Sequence, residues 1–272
     1  MFVQSNSPIG PLFPMLFITI ACGAISGFHS LVSSGTSSKQ LDKEGDAKPI
    51  AFGGMLTEAI LALLVLLMIS SVLIWDPQNL STSEFTFQNM FKSSANIVFG
   101  SALGKTLEAM GIPFIYGMQF GILMLNAFIL TTLDTSARLN RYIVQETIGS
   151  KLKGIFLNRY FATGIGLVVA YLLTLGNGYK VLWPIFGTSN QLIATLALFV
   201  VSAYLFGLKA KTLYTLIPGY IMLVITITAL IYQAFWMYLP KSNWILLVIS
   251  IFLLIMALII AYESSVKIFK KR

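Results

Sequence analysis

The feature that most constrains this chain is a series of long apolar runs with almost no charge inside them. The segment Ala59-Ile60-Leu61-Ala62-Leu63-Leu64-Val65-Leu66-Leu67 is the middle of one such run, at 53–75. A membrane-spanning strand would be about 10 residues long and would alternate apolar with polar side chains. This run does not alternate. About 20 mainly apolar residues in helical form cross the hydrocarbon of a bilayer. Stretches of that kind recur at roughly 9–32, 53–75, 112–136, 155–176, 183–206, 213–237 and 244–262. The predicted fold class is therefore all-α, a polytopic membrane protein with about seven transmembrane helices in a lipid bilayer.

Composition excludes the alternatives. Only 10% of the 272 residues are charged and 57% are hydrophobic, whereas a soluble domain carries about 25% charge. A mean hydropathy of +0.83 fits neither a soluble globule nor a disordered chain. The net charge of +8 would suit a nucleic-acid binder, but the placement of the charges says otherwise. Fourteen of the eighteen Lys and Arg lie in 35–50, 137–159, 207–212 and the C-terminal tail. The alternate connections hold only Lys92, Lys105, Lys180 and Lys241. That bias follows the positive-inside rule. It predicts an N-terminus outside and a C-terminus in the cytoplasm, with no nucleic acid as partner. The first run lacks a basic leader and a small-residue cleavage site, so it does not read as a signal peptide. With no flanking basic residues it is weakly oriented by itself. It reads as the continuation of a chain whose earlier helices lie upstream.

The reactive side chains are few. Cys22 and His29 are the lone cysteine and histidine, which leaves no internal disulfide and no cluster at metal-ligand spacing. No metal or cofactor is expected. The absence of a P-loop argues against an ATP-driven motor. The scattered acids offer no catalytic dyad, so an enzyme is not expected.

Polar residues enter the apolar runs at a few places. Gly23-Ala24-Ile25-Ser26-Gly27 interrupts the first run. If the helix resumes after Gly27 and continues to about Lys39, the element covers 12–39 and its midpoint falls near Ile25 and Ser26. Non-helical backbone at mid-bilayer is tolerated only inside protein or along a water-filled cavity, and broken helices hold substrate and ion sites in secondary transporters. The alternative is a helix that ends near His29, followed by a polar cytoplasmic loop from Ser33. A half-helix starting near Phe28 would aim its first amides at mid-membrane, where they favour an anion. Ser26, Gly27, His29 and Ser30 are the substrate-binding candidates. His29 could instead couple transport to protons or serve as a hydrogen-bonded structural residue.

On the third run, Thr131, Thr132 and Asp134 are ion-coupling candidates, because oxygens one turn apart can ligate a small cation. The competing reading is an i,i+4 ion pair of Asp134 with Arg138. Asn190 and Gln191, beside Thr188 and Ser189, are costly against lipid and should face other helices; they are gating or packing candidates. Glu58, near the cytoplasmic end of the second run, joins that group. It is placed to relay protons or simply to reach water. The outer loop at 76–111 suggests an interfacial or re-entrant helical element, since structureless loops of that length are uncommon.

Three stretches closely resemble the carbon starvation protein A family. They are the run from Phe17 to Thr36 around Gly23-Ala24-Ile25-Ser26-Gly27-Phe28-His29-Ser30, the run Phe128 to Thr135 with Arg138, and the run Leu182 to Leu192. The resemblance implies an inner-membrane symporter for peptides or pyruvate, used under carbon starvation and driven by a coupling proton or sodium. Members of that family are longer, and the matching motifs resemble those of their C-terminal half. Relation to the amino acid/polyamine/organocation transporters would make 1–206 the second of two inverted five-helix repeats. Residues 207–272 would then add two helices and a basic cytoplasmic tail. A repeat without its counterpart lacks half of the midplane site, so this chain should not transport without an N-terminal half, supplied separately if separately encoded. The alternative is a non-transporting membrane subunit that scaffolds or completes a partner chain.

Overall fold

The computed structural model describes residues 11–72, 94–149, 154–175 and 178–269. Among these residues there are helices and turns and no strands, as expected of an all-α chain. The principal helices are α1 (Phe17–Ala24), α2 (Gly27–Gly35), α3 (Gly53–Val72), α4 (Ala95–Glu108), α5 (Phe114–Val144), α6 (Arg159–Thr174), α7 (Gly178–Gly207), α8 (Leu213–Tyr232) and α9 (Trp244–Phe269). Five helical segments are long and apolar enough to cross a membrane: Glu44–Val72, Phe114–Gly149, Leu182–Gly207, Leu213–Tyr238 and Trp244–Glu263. The other two expected spans, 9–32 and 155–176, contain the shorter apolar helices Leu12–Ala21 and Arg159–Thr174. The first is short because its helix stops at a break. The protein is thus a multi-pass membrane protein.

The chain forms two compact units, Met1–Ser37 with Gly164–Arg272, and Ser38–Thr163. In the first unit, α7 is the hub against which α1, α2, α8 and α9 all pack. Three apolar clusters fill this unit. One joins Met15, Ile18 and Ala21 to Met222, Ile225 and Ala229. Another gathers Ile185, Ala234, Tyr238, Leu246 and Leu247, and a third Leu192, Leu230 and Ala257. A line of fully or nearly buried polar side chains, Thr188, Gln191, Thr195 and Ser202, runs down α7 between them. Pro184 lies inside α7, where a proline cannot donate and disturbs the ladder. Gln233 joins α7 beside it, donating from Nε2 to the Pro184 carbonyl at 2.8 Å, while its Oε1 accepts from the Thr188 hydroxyl at 3.0 Å.

In the second unit, α4 and α5 form a hairpin. Gly111 at φ +89° makes the turn and Pro113 caps α5. The two helices meet glycine to glycine. A Cβ on Gly117 would lie 2.9 Å from Cα of Gly104, and one on Gly121 would lie 3.0 Å from Cα of Gly100. Paired small residues let helix backbones approach closely, which is the main source of association in lipid. Of the loop expected at 76–111, residues 76–93 lie outside the described residues. The remainder is mostly α4, which folds back along α5 until Asn96 donates to Asn126 Oδ1 at 2.7 Å. Asn126 is about 18 Å along α5 from Phe114, at 1.5 Å per residue. Further on, α5 is 31 residues long, about 46 Å, which exceeds a hydrocarbon core of about 30 Å. Its last turns carry Arg138 and Arg141, so the helix continues through what the sequence suggests is a polar connection.

Candidate functional site

The break in the first membrane element falls between Gly23 and Gly27. Ile25 (φ −135°, ψ 99°) and Ser26 (φ −114°, ψ 127°) are extended, and helix resumes at Gly27. Glycines at both sides weaken the helix by about 1 kcal/mol each relative to alanine. Serine is a preferred N-cap, because its side-chain oxygen accepts from an amide of the first turn. Ser26 does this for the His29 N–H at 3.4 Å.

The long-range contact that holds the break in place is made by α7. A Cβ on Gly27 would overlap the carbonyl oxygen of Asn190. It would also lie 2.6 Å from Cβ of Ile193 and 2.9 Å from the amide nitrogen of Ala194. Only glycine fits at this crossing. Beside it, Asn190 is 3% exposed and its Oδ1 accepts the Phe28 N–H at 2.7 Å and the Ser26 hydroxyl at 3.4 Å. Asn190 therefore caps α2 from another helix. Counting from Leu182, Asn190 lies about 12 Å into its span, well inside the apolar layer.

The structure thus brings Ser26, Gly27 and Asn190 together. Two expected members of the set behave differently. Ser30 donates its hydroxyl to the Gly27 carbonyl at 2.7 Å, a back-bond within α2. His29 is exposed, with its ring edge-on to Phe28 at 6.0 Å between centroids. Gln191 is fully buried, and neither Nε2 nor Oε1 has a hydrogen-bond partner.

The remaining candidates belong to the second unit. On α5, the hydroxyls of Thr131 and Thr132 both donate to the Phe128 carbonyl, at 2.8 and 3.3 Å. Asp134 pairs with Arg138 at 2.8 Å across one helical turn, the second of the two readings open from the sequence. Glu58 is exposed on α3, a helix with no buried residue. Among the described residues no three His, Cys, Asp or Glu side chains gather around a possible metal position. The chemistry around the break is that of neutral hydrogen-bonding groups, suited to holding a ligand.

Two features escape sequence reasoning. One is the partnership of Asn190 with Phe28 across 162 positions. The other is the Gly100, Gly104, Gly117 and Gly121 seam, whose four-residue spacing in both helices was a legible signal.

Residues 1–99 and 75–229 match the sequence profile of the family described as Carbon starvation protein CstA. This chain belongs to the CstA family. Its relatives include the peptide transporter CstA of Bacillus subtilis, 32% identical over 245 aligned residues that cover 79% of this chain and 41% of the relative. The peptide transporter CstA of Escherichia coli is 32% identical over 289, covering 84% of this chain and 40% of the relative. A second Escherichia coli protein, the pyruvate/proton symporter BtsT, is 30% identical over 304, covering 84% and 42%. This chain spans about two fifths of the length of these CstA-family relatives. No solved structure matches it. The family is one of transporters, and the candidate site in this member is a break in an apolar helix, held by Gly27 and Asn190.

Proposed function

We propose that this chain is the C-terminal portion of a secondary transporter for peptides or pyruvate, with the α1–α2 break as its part of the substrate site. The observation that carries the reading is the clamp itself. Gly27 and Asn190 hold extended backbone inside the apolar layer, where such backbone is costly unless it lines protein or a cavity. Ser26, Gly27, His29 and Ser30 are its candidate substrate contacts. Thr131, Thr132 and Asp134 serve the coupling ion, and a proton is the favoured one because BtsT is a pyruvate/proton symporter. In this reading 1–206 corresponds to the second inverted repeat and 207–272 to two added helices. The N-terminus faces outside and the C-terminus the cytoplasm. Lys39 lies over the Tyr142 ring at 5.2 Å, which supports placing the segments 35–50 and 137–159 on one side.

Coverage of about two fifths of the relatives supports a dependence on an N-terminal half. The test is uptake of labelled dipeptide and pyruvate into proteoliposomes. The expected result is no uptake by the chain alone, and uptake when it is co-reconstituted with an N-terminal half encoded directly upstream or taken from a relative. Transport by the chain alone would overturn that dependence.

A further inference from the structure

Two cations meet over one aromatic ring in the second unit. Nζ of Lys39 lies 5.2 Å from the centroid of the Tyr142 ring, and Cζ of Arg141 lies 4.9 Å from it. Arg141 and Tyr142 are chain neighbours near the end of α5. Lys39 arrives from far along the chain, on the short turn Ser37–Lys39. The two charges are thus within about 10 Å of each other, the screening length of about 0.1 M salt. Among the described residues neither has a carboxylate within ion-pair distance; the acids that do pair take Lys105 and Arg138. Asp42 and Glu146, the acids nearest in sequence, are exposed and paired with neither. The Tyr142 ring offsets part of the repulsion, because a cation gains from an aromatic face. It does not neutralise two charges, and an anion beside them would.

Depth indicates the kind of anion. Tyr142 lies about 42 Å along α5 from Phe114, at 1.5 Å per residue, against about 40–45 Å for a bilayer with its headgroups. That is the level of the lipid phosphates, where tyrosine is enriched. Arg141 and Tyr142 are half-buried and Lys39 is exposed, so the cluster is open to the surface. Just past it, Ile143 is 57% exposed and Ile148 37%. Basic side chains beside exposed isoleucines match a phospholipid, which brings phosphate and acyl chain together. A soluble anion would leave the isoleucines uncovered. Over 35–50 and 137–159, eight Lys and Arg stand against four Asp and Glu, so the local field also attracts anionic headgroups.

We propose that Lys39, Arg141 and Tyr142 form a binding site for the phosphate of an anionic phospholipid at the end of α5. Arg141 presents a fork of N–H donors to the phosphate oxygens, and Lys39 adds a compact charge. The ring between them holds both cations in place. The site is independent of the substrate reading at the α1–α2 break.

The experiment is thermal unfolding of the purified chain in dodecyl maltoside, titrated with dioleoyl phosphatidylglycerol or dioleoyl phosphatidylcholine. Phosphatidylglycerol should raise Tm more than phosphatidylcholine, which has the same acyl chains and no net charge. Its apparent affinity should fall about 5-fold for each charge removed by Lys39→Gln and Arg141→Gln. A control with Lys211→Gln and Lys241→Gln removes the same charge elsewhere and should keep the wild-type affinity. Lys39 is exposed on a turn, so Lys39→Gln alone serves if the double variant does not fold. Equal shifts by the two lipids would overturn the proposal. So would a phosphatidylglycerol shift that survives the double variant, or one that the control loses to the same extent. Glycerol phosphate, the headgroup anion without acyl chains, should leave Tm unchanged. A shift by it as large as that of the lipid would assign the cluster to soluble phosphate and overturn the lipid site.

Discussion

At Gly27 one hydrogen atom separates a close helix crossing from a collision. A methyl group there would meet the Asn190 carbonyl and the Ala194 amide, and backbone cannot step aside as a flexible side chain can. Gly27→Ala is therefore expected to destabilise the protein by about 1–3 kcal/mol or more, the usual cost of overpacking. The check is denaturant unfolding in detergent. A stability equal to wild type would show that α2 and α7 are not packed as described. Asn190 contributes differently, through one good hydrogen bond to the Phe28 amide. Asn190→Ala removes a cap and should cost about 1–2 kcal/mol, with the helical circular dichroism nearly unchanged. His29 makes the contrast. Its side chain is exposed, so His29→Ala should leave unfolding within about 0.5 kcal/mol of wild type. Any effect should show in uptake by the complete transporter. A marked loss of stability would place His29 in the structural framework instead.

At the scale of elements, the break and the hairpin show two ways to use glycine. In the first membrane element, Gly23 and Gly27 flank a stop and Ser26 caps the restart, so the interruption is encoded locally. Its position is then secured by α7. In the hairpin the glycines keep α4 and α5 regular and let their axes approach. Gly117→Leu should push the two helices apart, because the new side chain would overlap Cα of Gly104 and the Leu107 side chain. Asn96 and Asn126 provide the readout, since their side chains meet at 2.7 Å. In a background with Cys22→Ser, the pair Asn96→Cys and Asn126→Cys should cross-link under mild oxidation. Adding Gly117→Leu should suppress the cross-link. Failure of the first pair to cross-link would show that α4 does not lie along α5 at this register.

For the whole molecule the question is orientation. Fourteen basic residues on one set of connections against four on the other predict that Ser81 faces outside and Ser150 the cytoplasm. Single cysteines at these positions, in the same Cys22→Ser background, should react with an impermeant maleimide from opposite sides of the membrane. Reaction of both from one side would overturn the topology. The exposed side chains of α3, all apolar along most of its length, fit a helix in contact with lipid or with further protein.

Much of this architecture was legible in the residues themselves, because it depends on short-range regularities. An uninterrupted apolar run with no alternation can satisfy its backbone in lipid only as a helix, so the class and the approximate spans follow from order along the chain. The break follows too, from two glycines and a capping serine within five positions. What the sequence left open depends on which side chain meets which across long separations. Asn190 and Gln191 are adjacent, equally polar and both buried, and the sequence treats them alike. A helix turns about 100° per residue, so they stand on different faces of α7. One meets the Phe28 amide at the break; the other is fully buried and its amide makes no hydrogen bond. That difference is set by the packing of α7 against α1 and α2, and only the tertiary structure decides it.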